Sequence, residues 1–223
     1  SGNDNHIAGM GAQGTVTDEF GYEGRLTNRV VTIPQLLRDA GYHTYIAGKW
    51  HLGEEPEANP HQKGFEQSFV LLHGAGNHYN NQSALGKKKK KYTENGDSVT
   101  WKEGDYSTDF YTTKLIEYID QNIDDNKPFL AYAAYTSPHW PLQVDRKYWQ
   151  KYQGLYDDGY EKLRKRRLNG LKKAGIIPQD AMLPELHEKV KPWDALSDAE
   201  KRKEARKMEL YAGMVDNLDE NIG

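Results

Sequence analysis

At 223 residues with no cysteine, the chain excludes disulfides, thiolate metal sites and a cysteine nucleophile within its own length. Its 30 basic and 33 acidic side chains nearly cancel to a formal charge of -3, which argues against a surface-wide footprint for nucleic acid. The length suits one domain or two small ones, and a mean hydropathy of -0.93 with no apolar run of membrane-spanning length points to no membrane partner.

Residues 1–31 are rich in glycine and polar side chains and are expected to form loops, with a weak strand at Val30-Val31. The polar start at Ser1-Gly2-Asn3 is unlike a signal peptide. A helix is expected from Thr32, where Thr32 caps, Pro34 suits the first turn and Gln35 completes a capping box. Ile33, Leu36, Leu37 and Ala40 form its apolar stripe, and Gly41 supplies a left-handed stop. Tyr42 to Ala47 then reads as a short strand, and a helix feeding a strand through one glycine is an α/β signature. Residues 53–100 read as mostly irregular, with a strand over Phe65 to Leu72 and a turn-rich loop at Gly74-Ala75-Gly76-Asn77-His78-Tyr79. The lysine run Lys87 to Lys91 reads as a solvated loop.

Ser107 to Ile123 predicts a helix, with Tyr111, Leu115, Ile119 and Ile123 at four-residue spacing. Phe129 to Tyr135 is apolar without alternation and bounded by breakers, which predicts a strand buried on both faces. It ends in Thr136-Ser137-Pro138-His139-Trp140-Pro141, and ligands in open α/β sheets collect at the carboxyl ends of strands. Residues 142–196 read as a peripheral helical insertion, with Tyr148, Trp149, Tyr152 and Tyr156 packing and Arg164-Lys165-Arg166-Arg167 on a solvated face. A last helix starts at the capping box Ser197-Asp198-Ala199-Glu200, and its expected stripe is Met208, Tyr211, Ala212, Val215, Leu218 and Ile222.

The chemistry gathers at Gly48-Lys49-Trp50-His51-Leu52-Gly53. Lys49 and His51 alternate, so in extended backbone their side chains leave the same side. A fixed cation beside a titratable imidazole suits an oxyanion with several charged oxygens, the cation stabilising charge and the ring moving a proton. His139, between two prolines at a strand end, has the same standing, while His6 and His78 are polar histidines in loops. No phosphate-binding glycine loop, HExxH, CxxC or Ser-His-Asp signature occurs, and no carboxylate cluster suggests a metal. The residues alone stop at an α/β domain with an anion-friendly edge.

Gly41-Tyr42-His43-Thr44 running into Gly48-Lys49-Trp50-His51-Leu52-Gly53 resembles the second signature of the sulfatase family, bacterial-type arylsulfatases in particular. Asp4-Asn5-His6, Gly74-Ala75-Gly76-Asn77-His78-Tyr79, Ser137-Pro138-His139-Trp140-Pro141 and Tyr211-Ala212-Gly213-Met214-Val215-Asp216-Asn217 resemble further family segments in order. The resemblance implies an α/β, alkaline-phosphatase-like fold with a mixed central sheet between helices, a calcium ion, and a formylglycine nucleophile made from cysteine. It implies that Lys49 holds a sulfate oxygen, that His51 is the base that collapses the intermediate, and that His139 binds sulfate and protonates the leaving oxygen. His78 is a further substrate-binding candidate. With no cysteine and the family's metal ligands unmatched, the chain reads as an internal piece of a longer sulfate-ester hydrolase, inactive alone and holding no metal site. Such a piece exposes sheet edges through which it can self-associate. Relatives of this kind suggest a periplasmic or extracellular parent. Two rivals are a phosphonate or phosphodiester hydrolase of the same superfamily, and a non-catalytic anion or nucleic-acid binding module using Lys87 to Lys91 and Arg164 to Arg167.

Overall fold

The computed structural model describes residues 1–12, 16–84, 88–100 and 104–223. They divide into two compact units, one of residues 1–141 with 218–223 and one of residues 142–217.

The first unit is built on a mixed sheet of β1 (His43–Lys49), β2 (Gln67–Leu71), β3 (Tyr92–Glu94), β4 (Asp97–Val99) and β5 (Phe129–Ala134), in the order β4-β3-β2-β1-β5. β1 runs parallel to both β2 and β5, while β3 is antiparallel to β2 and β4 to β3. Helix α1 (Ile33–Asp39) starts at the expected capping box on Thr32 and Gln35, and Gly41 adopts the left-handed conformation that lets the chain turn into β1. Helix α2 (Ser107–Asp120) is shorter than its apolar spacing suggests and gives way to a 3-10 turn at Ile123–Asp125.

Alternation along the strands sorts two cores. On one face Tyr45, Ala47, Phe69, Leu71 and Tyr92 meet Tyr111, Leu115 and Tyr118 of α2. On the other, Ile46, Val70, Leu72 and Ala134 meet Leu26, Val30, Trp50 and Phe65, most of them on loops rather than helices. Burying each large apolar side chain contributes about 1.5–3 kcal/mol.

Three expectations need correction. β5 is not buried on both faces: among the described strands it pairs with β1 alone, and Phe129 and Tyr132 are 51% and 53% exposed. The stripe of α1 is not a core face either, because no residue of that helix is buried and Ile33 joins Leu130 and Tyr132 around an open apolar groove of about 430 Å³. The third is the hairpin joining β3 and β4, hidden in a stretch that looks irregular. Asn95 and Gly96 both take positive φ, 52° and 94°, which is the two-residue turn an Asn-Gly pair favours.

The second unit contains α3 (Arg146–Trp149), α4 (Tyr160–Lys173) and most of α5 (Asp198–Ile222). Ser197 and Glu200 form the expected capping bonds. The buried face of α5 is Ala205, Glu209, Gly213, Met214 and Asn217, rotated away from the expected stripe, and Tyr211, Val215 and Ile222 are exposed. Close packing explains the rotation. A Cβ at Gly213 would stand 2.7 Å from the Trp149 nitrogen, and the buried Glu209 carboxylate accepts the Gly154 N–H at 2.8 Å. A reading by hydrophobicity does not find a face chosen by a glycine and a carboxylate. In the α4 basic cluster, Arg166 pairs with Asp158 and Arg164 donates to the Pro184 carbonyl at 2.6 Å.

Candidate active site

The parallel register sets Gly48 beside Ala134, so the chain leaves β1 and β5 at the same end of the sheet. Gly48, at φ 126°, is required there, because a Cβ would run into the Ala134 carbonyl. Beyond Lys49 the backbone stays tied to β2: Trp50 N–H donates to the Leu71 carbonyl at 2.8 Å and His51 N–H to the Leu72 carbonyl at 3.1 Å. Trp50 is anchored by its indole N–H on the Ala58 carbonyl at 2.9 Å and by an edge contact with Phe65.

His51 departs from the expected extended backbone. Its φ is 59°, a conformation that costs a residue with a side chain about 1–3 kcal/mol and persists only where its surroundings enforce it. Gly74 forms part of those surroundings, since a Cβ there would lie 2.6 Å from His51 Nε2. Lys49 and His51 still line one depression of about 440 Å³ with Tyr132 to Tyr135 of β5 and its end, but a turn brings them together rather than strand alternation. His51 also borders a larger cleft of about 690 Å³ with Glu54, His73, Gly74, Lys90 and Lys91. Glu54 sits 3.1 Å from both His73 Nε2 and Lys91 Nζ.

Burial lowers the His51 pKa from its ordinary value, and the positive charges of Lys49, His139 and Lys90 lower it further. The ring is therefore neutral at neutral pH, the form of imidazole that accepts a proton. His139 follows β5 in a turn closed by its own N–H on the Thr136 carbonyl at 2.9 Å. Its exposed ring bonds through Nδ1 to the Trp140 carbonyl at 2.6 Å, so Nδ1 carries a proton.

The remaining candidates lie elsewhere. His78 is 1% exposed, and both ring nitrogens are engaged within the protein, Nδ1 with Ser107 Oγ at 2.7 Å and Nε2 with the His139 carbonyl at 3.0 Å. It is thus packed behind His139 rather than lining either cleft. His6 is bonded to Asp4 and Tyr22. Of the lysine run, Lys87 lies outside the described residues, while Lys90 and Lys91 border the larger cleft. Sequence reasoning missed Gly74 as the support of the His51 ring, although its glycine-rich setting was a signal. It also missed Ser107, which looks like nothing more than the start of a helix.

Among the described residues no group of three or more His, Asp or Glu side chains could hold a metal ion. Around Lys49, His51 and His139 the donors are nitrogens, and the nearby Glu54 carboxylate is held by His73 and Lys91 rather than joining an oxygen cage of the kind calcium takes, so the residues present do not fit that ion. With no cysteine in the chain, they do not supply a formylglycine either.

Lys49, His51 and the turn bearing His139 thus come together at one end of the parallel strands of a mixed α/β sheet. The chain belongs to the sulfatase family, whose family model matches residues 1–223. It is 41% identical to an uncharacterized sulfatase of Schizosaccharomyces pombe, over all of this chain and 43% of that protein. It is 37% identical to an arylsulfatase of Klebsiella aerogenes, over all of this chain and 49% of that protein. The chain thus spans less than half the length of these relatives. Among solved structures, Ps i-CgsB in complex with k-i-k-neocarrahexaose superposes with a TM-score of 0.61 at 21% identity, covering 98% of this chain and 40% of that one. That likeness establishes the alkaline-phosphatase-like fold expected from the motifs.

Proposed function

We propose that this chain supplies the anion-holding and proton-transfer part of a sulfate-ester hydrolase site, of arylsulfatase type, with a small organic sulfate ester as substrate. The observation that carries the reading is the convergence of Lys49, a neutral His51 and the turn bearing His139 at one end of parallel strands. The Lys49 ammonium donates hydrogen bonds to an oxygen of the sulfate group and stabilises its charge. His51, unprotonated, accepts the proton of a hydroxyl, and His139 gives a proton from Nε2 to the leaving oxygen while Nδ1–H stays on the Trp140 carbonyl.

A formylglycine nucleophile and a calcium ion would have to be contributed by residues outside these 223, so no step is assigned to either. In this reading the 223-residue chain by itself turns over no aryl sulfate, and measurable turnover by the purified chain would overturn that claim. In a longer protein carrying this sequence, sulfate esters are expected to be cleaved in preference to phosphate diesters and phosphonate monoesters. A profile led by the phosphorus esters would favour the rival hydrolase. The nucleic-acid alternative loses ground because Arg166 is already paired with Asp158 and Arg164 is bonded to backbone. A periplasmic or extracellular setting is part of the same reading, and cell fractionation tests it.

A further inference from the structure

We propose that His78 is a positioning residue for His139, gripping the turn at the end of β5 through one fixed tautomer. This rests on the reading of His139 as a working residue, but its central test does not.

The tautomer follows from what each partner can give. A carbonyl oxygen has no proton to donate, so the 3.0 Å contact between His78 Nε2 and the His139 carbonyl requires the proton on Nε2. Burial holds the His78 ring below its ordinary pKa, which keeps it neutral and leaves Nδ1 bare. Nδ1 then accepts the Ser107 hydroxyl proton at 2.7 Å. With its own proton committed, Ser107 Oγ is left as the acceptor for the Thr136 hydroxyl at 3.4 Å. The directed chain runs Thr136 to Ser107 to His78 to the His139 carbonyl, so it begins and ends in the same turn.

Two further contacts hold the residue, one on its backbone and one on its ring. Ser107 N–H donates to the His78 carbonyl at 2.8 Å, and the Tyr106 ring stacks on the imidazole with centroids 5.7 Å apart. His78 therefore joins the loop after β2, the start of α2 and the turn after β5. A buried imidazole is a costly filler unless its nitrogens are satisfied, so apolar packing alone would not call for histidine here. The ring of His139 is exposed and tied to the carbonyl of its neighbour Trp140. The backbone of the turn thus aims it, and His78 holds that backbone. Misplacing a reacting group by about 1 Å can reduce turnover about 10²-fold.

The test uses the 223-residue chain labelled with 15N, followed by long-range proton–nitrogen correlation of the imidazoles. We expect His78 to show a protonated Nε2 and an unprotonated Nδ1 at pH 8, where the ring is neutral. The ring signals of His139 should move in His78→Phe and return in His78→Gln, whose amide N–H reaches the same carbonyl. Ser107→Ala, a milder change should His78→Phe fail to fold, keeps the carbonyl that demands a proton on Nε2 but removes the Nδ1 anchor, and is expected to shift His139 partway. A proton on Nδ1 at pH 8, or a Gln variant no closer to the parent than Phe, would overturn the proposal. In a longer, active protein carrying this sequence, His78→Phe should lower kcat about 10²-fold with KM little changed, and Gln should recover most of the loss. If the tautomer and the Gln rescue hold in the spectra while the unaltered longer protein turns over no sulfate ester, the positioning stands and the sulfate-ester reading fails.

Discussion

One strand carries a histidine at each end, and the two rings live in opposite surroundings. His43, at the start of β1, lies between two carboxylates, Nδ1 2.7 Å from Glu66 and Nε2 2.7 Å from Asp125. Those bonds raise its pKa, Asp125 contributing most, then Glu66. His51, just beyond the other end, is partly buried among Lys49, His139 and Lys90, and its pKa falls. Within nine residues of sequence the same side chain is pushed toward its charged form in one place and toward its neutral form in the other. The amino acid decides neither role; the charges that the fold sets around it decide both.

The comparison breaks most visibly in turnover. In a longer, active protein carrying this sequence, His51→Ala is expected to lower kcat/KM for an aryl sulfate by about 10²–10⁴-fold, whereas His43→Gln should leave it within a few-fold. Equal losses in steady-state assays would erase the distinction between the two ends. A smaller effect is expected from Gly74→Ala, whose new methyl group meets the His51 ring. Here kcat should drop roughly tenfold or more by displacement alone, and an unchanged kcat would show that the ring has room to move.

The clamp at His43 reads out as stability against pH. A histidine whose pKa is raised on folding contributes stability that is fully present below its unfolded value of 6.5 and is lost as pH rises through the folded pKa. Asp125 is held down to about 2, by His43 first and then by the Lys127 N–H, so its contribution is present above 3.8 and fades as pH falls towards 2. Lys127 Nζ also faces Asp125 at 3.4 Å. Urea midpoints of the parent and His43→Gln should therefore differ most between about pH 4 and 6.5 and converge in alkali. A gap that widens with rising pH would contradict the assigned charges.

The smallest effects concern His51 alone. Its ring should titrate below 6.5 by NMR, and Lys49→Met should move it upward without restoring the ordinary value, because burial is the larger cause. Lys90→Gln should move it less, since Lys90 ranks after Lys49 and His139 among the causes.

Local chemistry was legible wherever a short stretch is self-sufficient. The Thr32 capping box, the Gly41 stop and the helix starts at Ser107 and Ser197 depend on neighbours three or four residues away, and the chain forms them as written. The strands at β1 and β2 and the motif Gly48-Lys49-Trp50-His51 were likewise readable, as was family membership. Tertiary structure alone decided what those pieces face. Phe129 to Ala134 is apolar enough for an interior strand yet stands at the edge of the described sheet. The buried side of α5 follows Gly213 and Glu209 rather than its largest apolar residues. His78, expected with His6 to be a polar histidine in a loop, is instead buried behind His139. The physical reason is common to all three. A hydrogen-bonded turn is specified by adjacent residues, whereas burial, pKa and the direction of a ring depend on atoms that folding brings in from tens of residues away.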